Sequence, residues 1–195
     1  MKSVTLLIIL SFLFSCNGDN TYLPKPRMYP KVVYPTKDFQ VMDINDCPFR
    51  LEVPTYFQYV QDTFQLDEEL NKCWFNLHCA ELNAYLHFSY LEINSRKQFD
   101  QFVRDAFNLV NKHNIKANYR DEKTLEYPDR SVHGLLFEID GPVATPLQFF
   151  VTDSTSHFIR GSLYFKSQVD RDSLAPVYNF LRQDVMHLLD NFTWN

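Results

Sequence analysis

Apolar and polar positions alternate along several stretches of the chain, and the alternation predicts strands. Phe49 to Val53 (FRLEV) reads as a strand ended by Pro54. Cys73 to Cys79 (CWFNLHC) is aromatic and apolar throughout and reads as another. In Asn83 to Leu91, Leu86, Phe88 and Tyr90 fall on one face, and Tyr85, His87 and Ser89 on the other. Only a short link through Glu81 and Leu82 separates these last two strands, so they form an antiparallel hairpin. Lys116 to Glu126 reads as one or two short strands. Val132–Ile139, Pro146–Thr152 and His157–Phe165 are separated by the turn sequences Asp140-Gly141-Pro142 and Asp153-Ser154-Thr155, which predicts an antiparallel meander. Gly161 in mid-strand predicts a bulge, or close packing beneath a helix.

Two stretches change to helical spacing. Ser95-x-x-Gln98 is a capping box, and Phe99, Phe102, Val103, Ala106, Phe107 and Val110 then form one apolar stripe, with Asn114 as the stop. Such a stripe is read as core rather than as a partner groove. Asp172-Ser173 caps the last helix, whose stripe is Leu174, Val177, Tyr178, Leu181, Val185 and Leu188, with Pro176 placed in the first turn. Tyr56 to Leu70 is polar and mixed, a loop with a short helix, and Trp194 docks on the body. Strands, helix, strands, helix is an α+β order. The expected fold is one mainly antiparallel sheet with the two long helices packed on it.

The first residues have a different pattern. Val4 to Phe14 is apolar and follows Lys2, but it falls short of the roughly 20 residues that span a bilayer. It reads as a signal peptide over residues 1–15, with the small Ser15 placing the cut before a lipidated Cys16. An ordinary secretory signal cut near a Cys is the other reading. Acyl chains on Cys16 contribute about 0.8 kcal/mol per buried methylene, so several on one residue anchor the chain stably. Pro24, Pro26, Pro30 and Pro35 make residues 16–35 an extended tether, with Tyr22, Tyr29 and Tyr34 packing its far end onto a single domain over 36–195.

The formal net charge is −5, and loss of Lys2 with the signal moves it to −6. A mildly acidic chain is a poor ligand for nucleic acid or for anionic lipid. Eighteen Phe and eleven Tyr against four Gly point to a well-filled core. An exported domain meets an oxidising compartment. Cys73 and Cys79 on one strand would be about 20 Å apart, too far to bridge. Cys47 therefore pairs with Cys73 or with Cys79, and Cys47–Cys73 is preferred, leaving Cys79 as a small buried residue. Zinc on Cys73, His78 and Cys79 is the rival, and it lacks a CxxC pair and a fourth ligand.

No HExxH, GxSxG or P-loop is present. Asp153, Ser154 and His157 are the nearest approach to a catalytic cluster, and turn formation explains the first two. His87 with Glu92 and His133 with Glu138 are weaker pairings; satisfied sheet-face histidines are the plainer reading. No enzyme activity, metal or cofactor is expected.

Several stretches, taken in order, resemble the GldD family. They are Tyr22-Leu23-Pro24-Lys25-Pro26-Arg27, Cys47-Pro48-Phe49, Cys73-Trp74-Phe75-Asn76-Leu77, Leu86-His87-Phe88-Ser89-Tyr90, the HNIKA stretch from His113 to Ala117, and Val132-His133-Gly134-Leu135-Leu136. The strongest is Gln148 to Ser154 running into His157-Phe158-Ile159-Arg160-Gly161-Ser162-Leu163-Tyr164-Phe165, and Asp172-Ser173-Leu174-Ala175-Pro176 completes the set. The resemblance implies a gliding motility lipoprotein of the Bacteroidota, linked to type IX secretion, with no catalytic residues to carry over. It supports pairing Cys47 with Cys73, which fall at the family's Cys-Pro-Phe and Cys-Trp motifs, and leaving Cys79 free. The sheet with flanking helices also resembles the Mog1/PsbP-type sandwich.

Three functions follow as expectations. The leading one is a non-enzymatic lipoprotein that assembles with other gliding or secretion proteins, with Arg160 and Tyr164 on the exposed strand face as partner contacts. The second is a binding module for a lipid or cell-wall fragment, which needs an apolar cavity with a few polar groups. The third is a hydrolase on Asp153, Ser154 and His157. Asn17 after the lipidated residue fits outer-membrane sorting, and with only Asp19 acidic nearby the chain is expected to face the periplasm.

Overall fold

The computed structural model describes residues 31–44, 46–62, 72–114, 117–166 and 171–195. Cys16, expected to be lipidated, the prolines of the expected tether before Lys31, Tyr22 and Tyr29 lie outside them, as does the later part of the expected 56–70 loop. Lys31–Asn195 is one compact unit.

In chain order the strands are β1 (Phe39–Asp43), β2 (Phe49–Pro54), β3 (Gln58–Gln61), β4 (Trp74–Cys79) and β5 (Ala84–Glu92). Helix α1 (Arg96–Asn114) follows, then β6 (Tyr119–Tyr127), a 3-10 turn (Pro128–Arg130), β7 (Val132–Asp140), β8 (Leu147–Thr152) and β9 (His157–Phe165). Helix α2 (Arg171–Asp190) and the short β10 (Thr193–Trp194) end the chain. The fold is α+β, and every described strand pair is antiparallel.

The strands make two sheets rather than the single one expected. Seven of them run in the order β3-β4-β5-β9-β8-β7-β6, and β1-β2-β10 make a smaller sheet. Helix α1 carries the chain from β5 to the outer strand β6, and the β6-to-β9 meander returns it to β5's side. Leu86 then sits opposite Leu163 and Phe88 opposite Gly161.

The helices cover opposite faces of the large sheet. On one face α2 lays Val177, Leu181, Val185 and Leu188 against Leu77, Leu86, Phe149 and Leu163, and the small sheet adds Phe49, Leu51 and Val53, all fully buried. On the other, α1 lays Ala106 and Val110 against Phe137, Phe150 and Phe158. Ser95 caps it: Gln98 N–H donates to Ser95 Oγ at 3.3 Å, and the Gln98 side chain reaches back one residue further than in the expected box, its Oε1 accepting from Asn94 N–H at 2.9 Å. Each fully buried Phe or Leu stabilises by about 1.5–3 kcal/mol, so two apolar layers of this size hold the sheet rigidly between them.

Local differences from the sequence reading have physical causes. Gly161 makes no bulge, since β9 stays in register with both neighbours. A Cβ there would lie 2.1 Å from Cζ of Phe149, so the glycine admits a ring from the next strand rather than a helix. Pro176 is the sixth residue of α2, not in its first turn; the amide it lacks would have bonded to Asp172, in the first turn. Lys116 to Glu126 gives one nine-residue strand, β6, starting at Tyr119. As expected, Tyr34 packs on Phe180 (4.7 Å between ring centres), and Trp194 stacks on His157 at 5.2 Å.

Candidate docking face

The α1 side of the large sheet is only partly used for packing. Beyond the α1 contact, strands β4, β5 and β9 present Trp74, Asn76, His78, Tyr85, His87, Ser89, Arg160, Ser162 and Tyr164 on that face, because each alternates with a core residue. All are half-buried, and none of their rings belongs to either core cluster. Cross-strand register builds a ladder of rings. His78 stacks on Tyr85 at 4.2 Å, Tyr85 lies 5.9 Å from His87, and His87 meets Tyr164 at 5.8 Å.

The polar groups of this face are held in place. His87 Nδ1 forms a short hydrogen bond to Asn76 Oδ1. Burial lowers the His87 pKa, with Asp62 opposing, so the imidazole is neutral at pH 7. Trp74 Nε1–H donates to the Tyr90 carbonyl at 2.7 Å. Arg160, read from sequence as exposed, is half-buried beside α1. Burial lowers its pKa and the carboxylate of Asp105 works against that. Tyr164 lies at the opposite end of the strand's face, across from Tyr85. The sequence points to Arg160 and Tyr164 as partner contacts, whereas His78 enters there only as a zinc candidate, His87 only as a partner of Glu92, and Tyr85 only as a strand-face residue. Their signal was present as the positions alternating with Leu77, Leu86 and Phe88.

Cys47 and Cys73 are joined by a disulfide with 5.6 Å between Cα atoms, which removes Cys73 from any zinc set. Cys79 is a buried free thiol whose pKa burial pushes up to about 11. Among the described residues no group of three metal-ligating side chains occurs.

Asp153, Ser154 and His157 do not assemble. The Asp153 carboxylate accepts from the N–H groups of Thr155, Ser156 and His157 at 2.8–2.9 Å, and from the Thr155 hydroxyl. Partial burial acts to raise its pKa, but these donors hold it at about 2. His157 Nδ1 pairs with the Tyr90 hydroxyl at 2.8 Å and its ring stacks on Trp194, on the α2 side of the sheet. Ser154 borders a groove on the α1 side. His133 pairs with Glu126 at 2.7 Å, not with Glu138, and His87 with Asn76, not with Glu92.

Glu138 instead takes a bidentate pair from Arg182 of α2 (2.6 and 2.8 Å) and a bond from the Tyr178 hydroxyl, which hold its carboxyl below the usual range although burial opposes them. Beside it lies a cleft of about 480 Å³ between α2 and the β6–β7 end of the sheet, walled by Ile139, Val143, Phe165 and Leu174.

The family model described as gliding motility lipoprotein GldD matches residues 19–194. No curated protein matches the chain. Among solved structures, the solution structure of cyanobacterial PsbP (CyanoP) from Synechocystis sp. PCC 6803 is similar, at 10% identity and a TM-score of 0.47, over 83% of this chain and 95% of that one. No helix among the described residues is long and apolar enough to cross a membrane.

Proposed function

The chain belongs to the GldD family of gliding motility lipoproteins, and from that premise we propose that it is a non-enzymatic assembly component of the gliding and type IX secretion machinery. It is held to the membrane by acyl chains on Cys16 and docks other envelope proteins through the β4–β5–β9 face. The observation that carries this reading is the face itself: a ladder of aromatic and imidazole rings, with one Arg, that belongs to neither core. Tyr, Trp and Arg are the residues that anchor protein interfaces. The separation of Ser154 from His157, and the use of Asp153 as a turn acceptor, support a role without catalysis. The Cys47–Cys73 disulfide supports an oxidising, periplasm-facing position, and Asn17 supports the outer membrane. The test is complementation. Deleting the gene abolishes spreading on agar, the full chain restores it, and Cys16→Ala does not. Normal spreading of the deletion strain would contradict the reading.

The cleft favours a second reading, a binding module for a lipid or cell-wall fragment. Its volume and apolar walls suit a small ligand, and Tyr178, Asn179 and the paired Glu138 supply polar contacts at its rim. Mass spectrometry of full-length protein extracted from membranes decides it: a bound small molecule supports this reading, and its absence counts against it.

A further inference from the structure

Arg160 stands out within the docking face. It is the only cation among the nine face positions on β4, β5 and β9, and none of the nine is a carboxylate. Its neighbours across the strands are Ser89 and Phe150, so it lies where the α1 footprint meets the open half of the face. Asp105 of α1 is the carboxylate whose charge it feels, yet the two form no ion pair within 4 Å, and the Arg160 guanidinium makes no hydrogen bond to the described residues. A guanidinium carries five N–H donors in a planar fork and no acceptor, and none of the Arg160 nitrogens is fully buried, so the fork remains open to an acceptor from outside. Two other half-buried cations have their acceptor: Lys37, ahead of β1, has Asp184, and Arg182 has Glu138.

Resting on the reading that this face docks a partner, we propose that Arg160 is the receptor for a carboxylate of that partner, an Asp or Glu side chain set in an apolar or aromatic surface. The fork fits a carboxylate in bidentate geometry, and the rings of His87, Tyr85 and Tyr164 close over the rest of the contact and exclude water. Neutral His87 adds no competing cation, and no carboxylate stands among the nine positions themselves, the nearest acidic charges being Asp105 on α1 and Asp62 beside β3. Since the chain as a whole carries a net charge of −5, attraction of an acidic partner must come from this local feature rather than from the overall field.

The experiment uses the full-length chain expressed in cells lacking the wild-type copy, scored by spreading on agar and by the level of folded protein in the membrane. Arg160→Gln is expected to accumulate normally and to stop spreading. Arg160→Lys, which keeps the charge and loses the fork, is expected to spread less than wild type. The charge swap Asp105→Arg with Arg160→Asp is expected not to restore spreading. Restoration by the swap would show that Arg160 serves Asp105 within the chain, and would overturn the proposal. So would failure of Arg160→Gln to accumulate, which would make the guanidinium structural. Normal spreading of Arg160→Gln together with failure of Tyr164→Ala would overturn the carboxylate receptor and leave the docking face standing. Normal spreading of both would overturn both. A homodimer of the purified chain that Arg160→Gln dissolves would make the occupant a second copy, and would also overturn the proposal.

Discussion

Lys37 and Asp184 join the start of the domain to its last helix. The ammonium lies 2.7 Å from Asp184 Oδ1, and the Asp184 side chain is 1% exposed. The same ammonium donates to the Phe180 carbonyl at 2.9 Å and lies 4.1 Å from the centre of the Phe180 ring. The Tyr56 hydroxyl supplies a short hydrogen bond to the other carboxylate oxygen, and its own pKa is driven up by burial and by that bond. The segment around Lys37, ahead of β1, is thus strapped to α2, on the sheet side opposite the proposed docking face.

Breaking this pair leaves a buried carboxylate with only Tyr56 as partner. Lys37→Met is expected to cost about 2–3 kcal/mol of unfolding free energy, near the lower end for a buried pair because the ammonium is partly exposed. Adding Asp184→Asn to that variant is expected to recover part of the loss. Urea unfolding of the two single variants and the double variant gives the coupling.

The disulfide closes a separation of 26 residues. Replacing both Cys47 and Cys73 by Ser is expected to destabilise by about 3 kcal/mol in the chain-entropy model. Reduction of the wild-type protein followed by denaturant unfolding should give a loss of similar size, while the cost of Cys79→Ser at its buried site acts through packing and is the same with and without reductant.

The turn at Asp153 gives a pH signature. Its carboxyl lies at about 2 in the folded protein, against an ordinary value of 3.8. A depressed carboxyl contributes stability that is fully present above the unfolded value and is lost as pH falls toward the folded one. The stability difference between wild type and Asp153→Asn is therefore expected to be constant from pH 7 to about 5, and to shrink between about pH 4 and pH 2. Thermal unfolding across that range checks it. A difference independent of pH would show that the charge is not what holds the turn.

Two glycines are required for space. At Gly161 a Cβ would meet the Phe149 ring at 2.1 Å, whereas at Gly134 it would lie 2.0 Å from the Phe150 carbonyl oxygen. A ring can shift and a paired strand's backbone cannot. Gly161→Ala is expected to cost about 1–3 kcal/mol and Gly134→Ala more than that. Equal losses in chemical denaturation would contradict the distinction.

Elements with strong local signals were legible in the sequence. The cap at Ser95, the stripe of α1, the β4–β5 hairpin and the β7-to-β9 meander follow from spacing and turn residues alone. β1 and β3 did not show because they are short and mostly exposed, with no clean alternation, and β10 because its two residues are ordered by pairing with Phe49 and Arg50 at the other end of the domain. The second sheet was missed for those reasons. At the docking face, alternation placed Tyr85, His87 and Ser89 together. It could not show that α1 would cover only the Phe137–Phe150–Phe158 part of that side and leave the rings of His78, Tyr85, His87 and Tyr164 outside both cores. Nor could it show that Arg160 would be half-buried without an acceptor among the described residues.

The most direct test of the account is spreading on agar by cells whose only copy of the full chain carries Tyr85→Ala and Tyr164→Ala, with membrane level and disulfide matched to wild type. Loss of two ring anchors is expected to cost the interface at least about 2 kcal/mol, enough to abolish docking and leave colonies that do not spread. Colonies that spread like wild type would contradict the claim that this face is where the protein works.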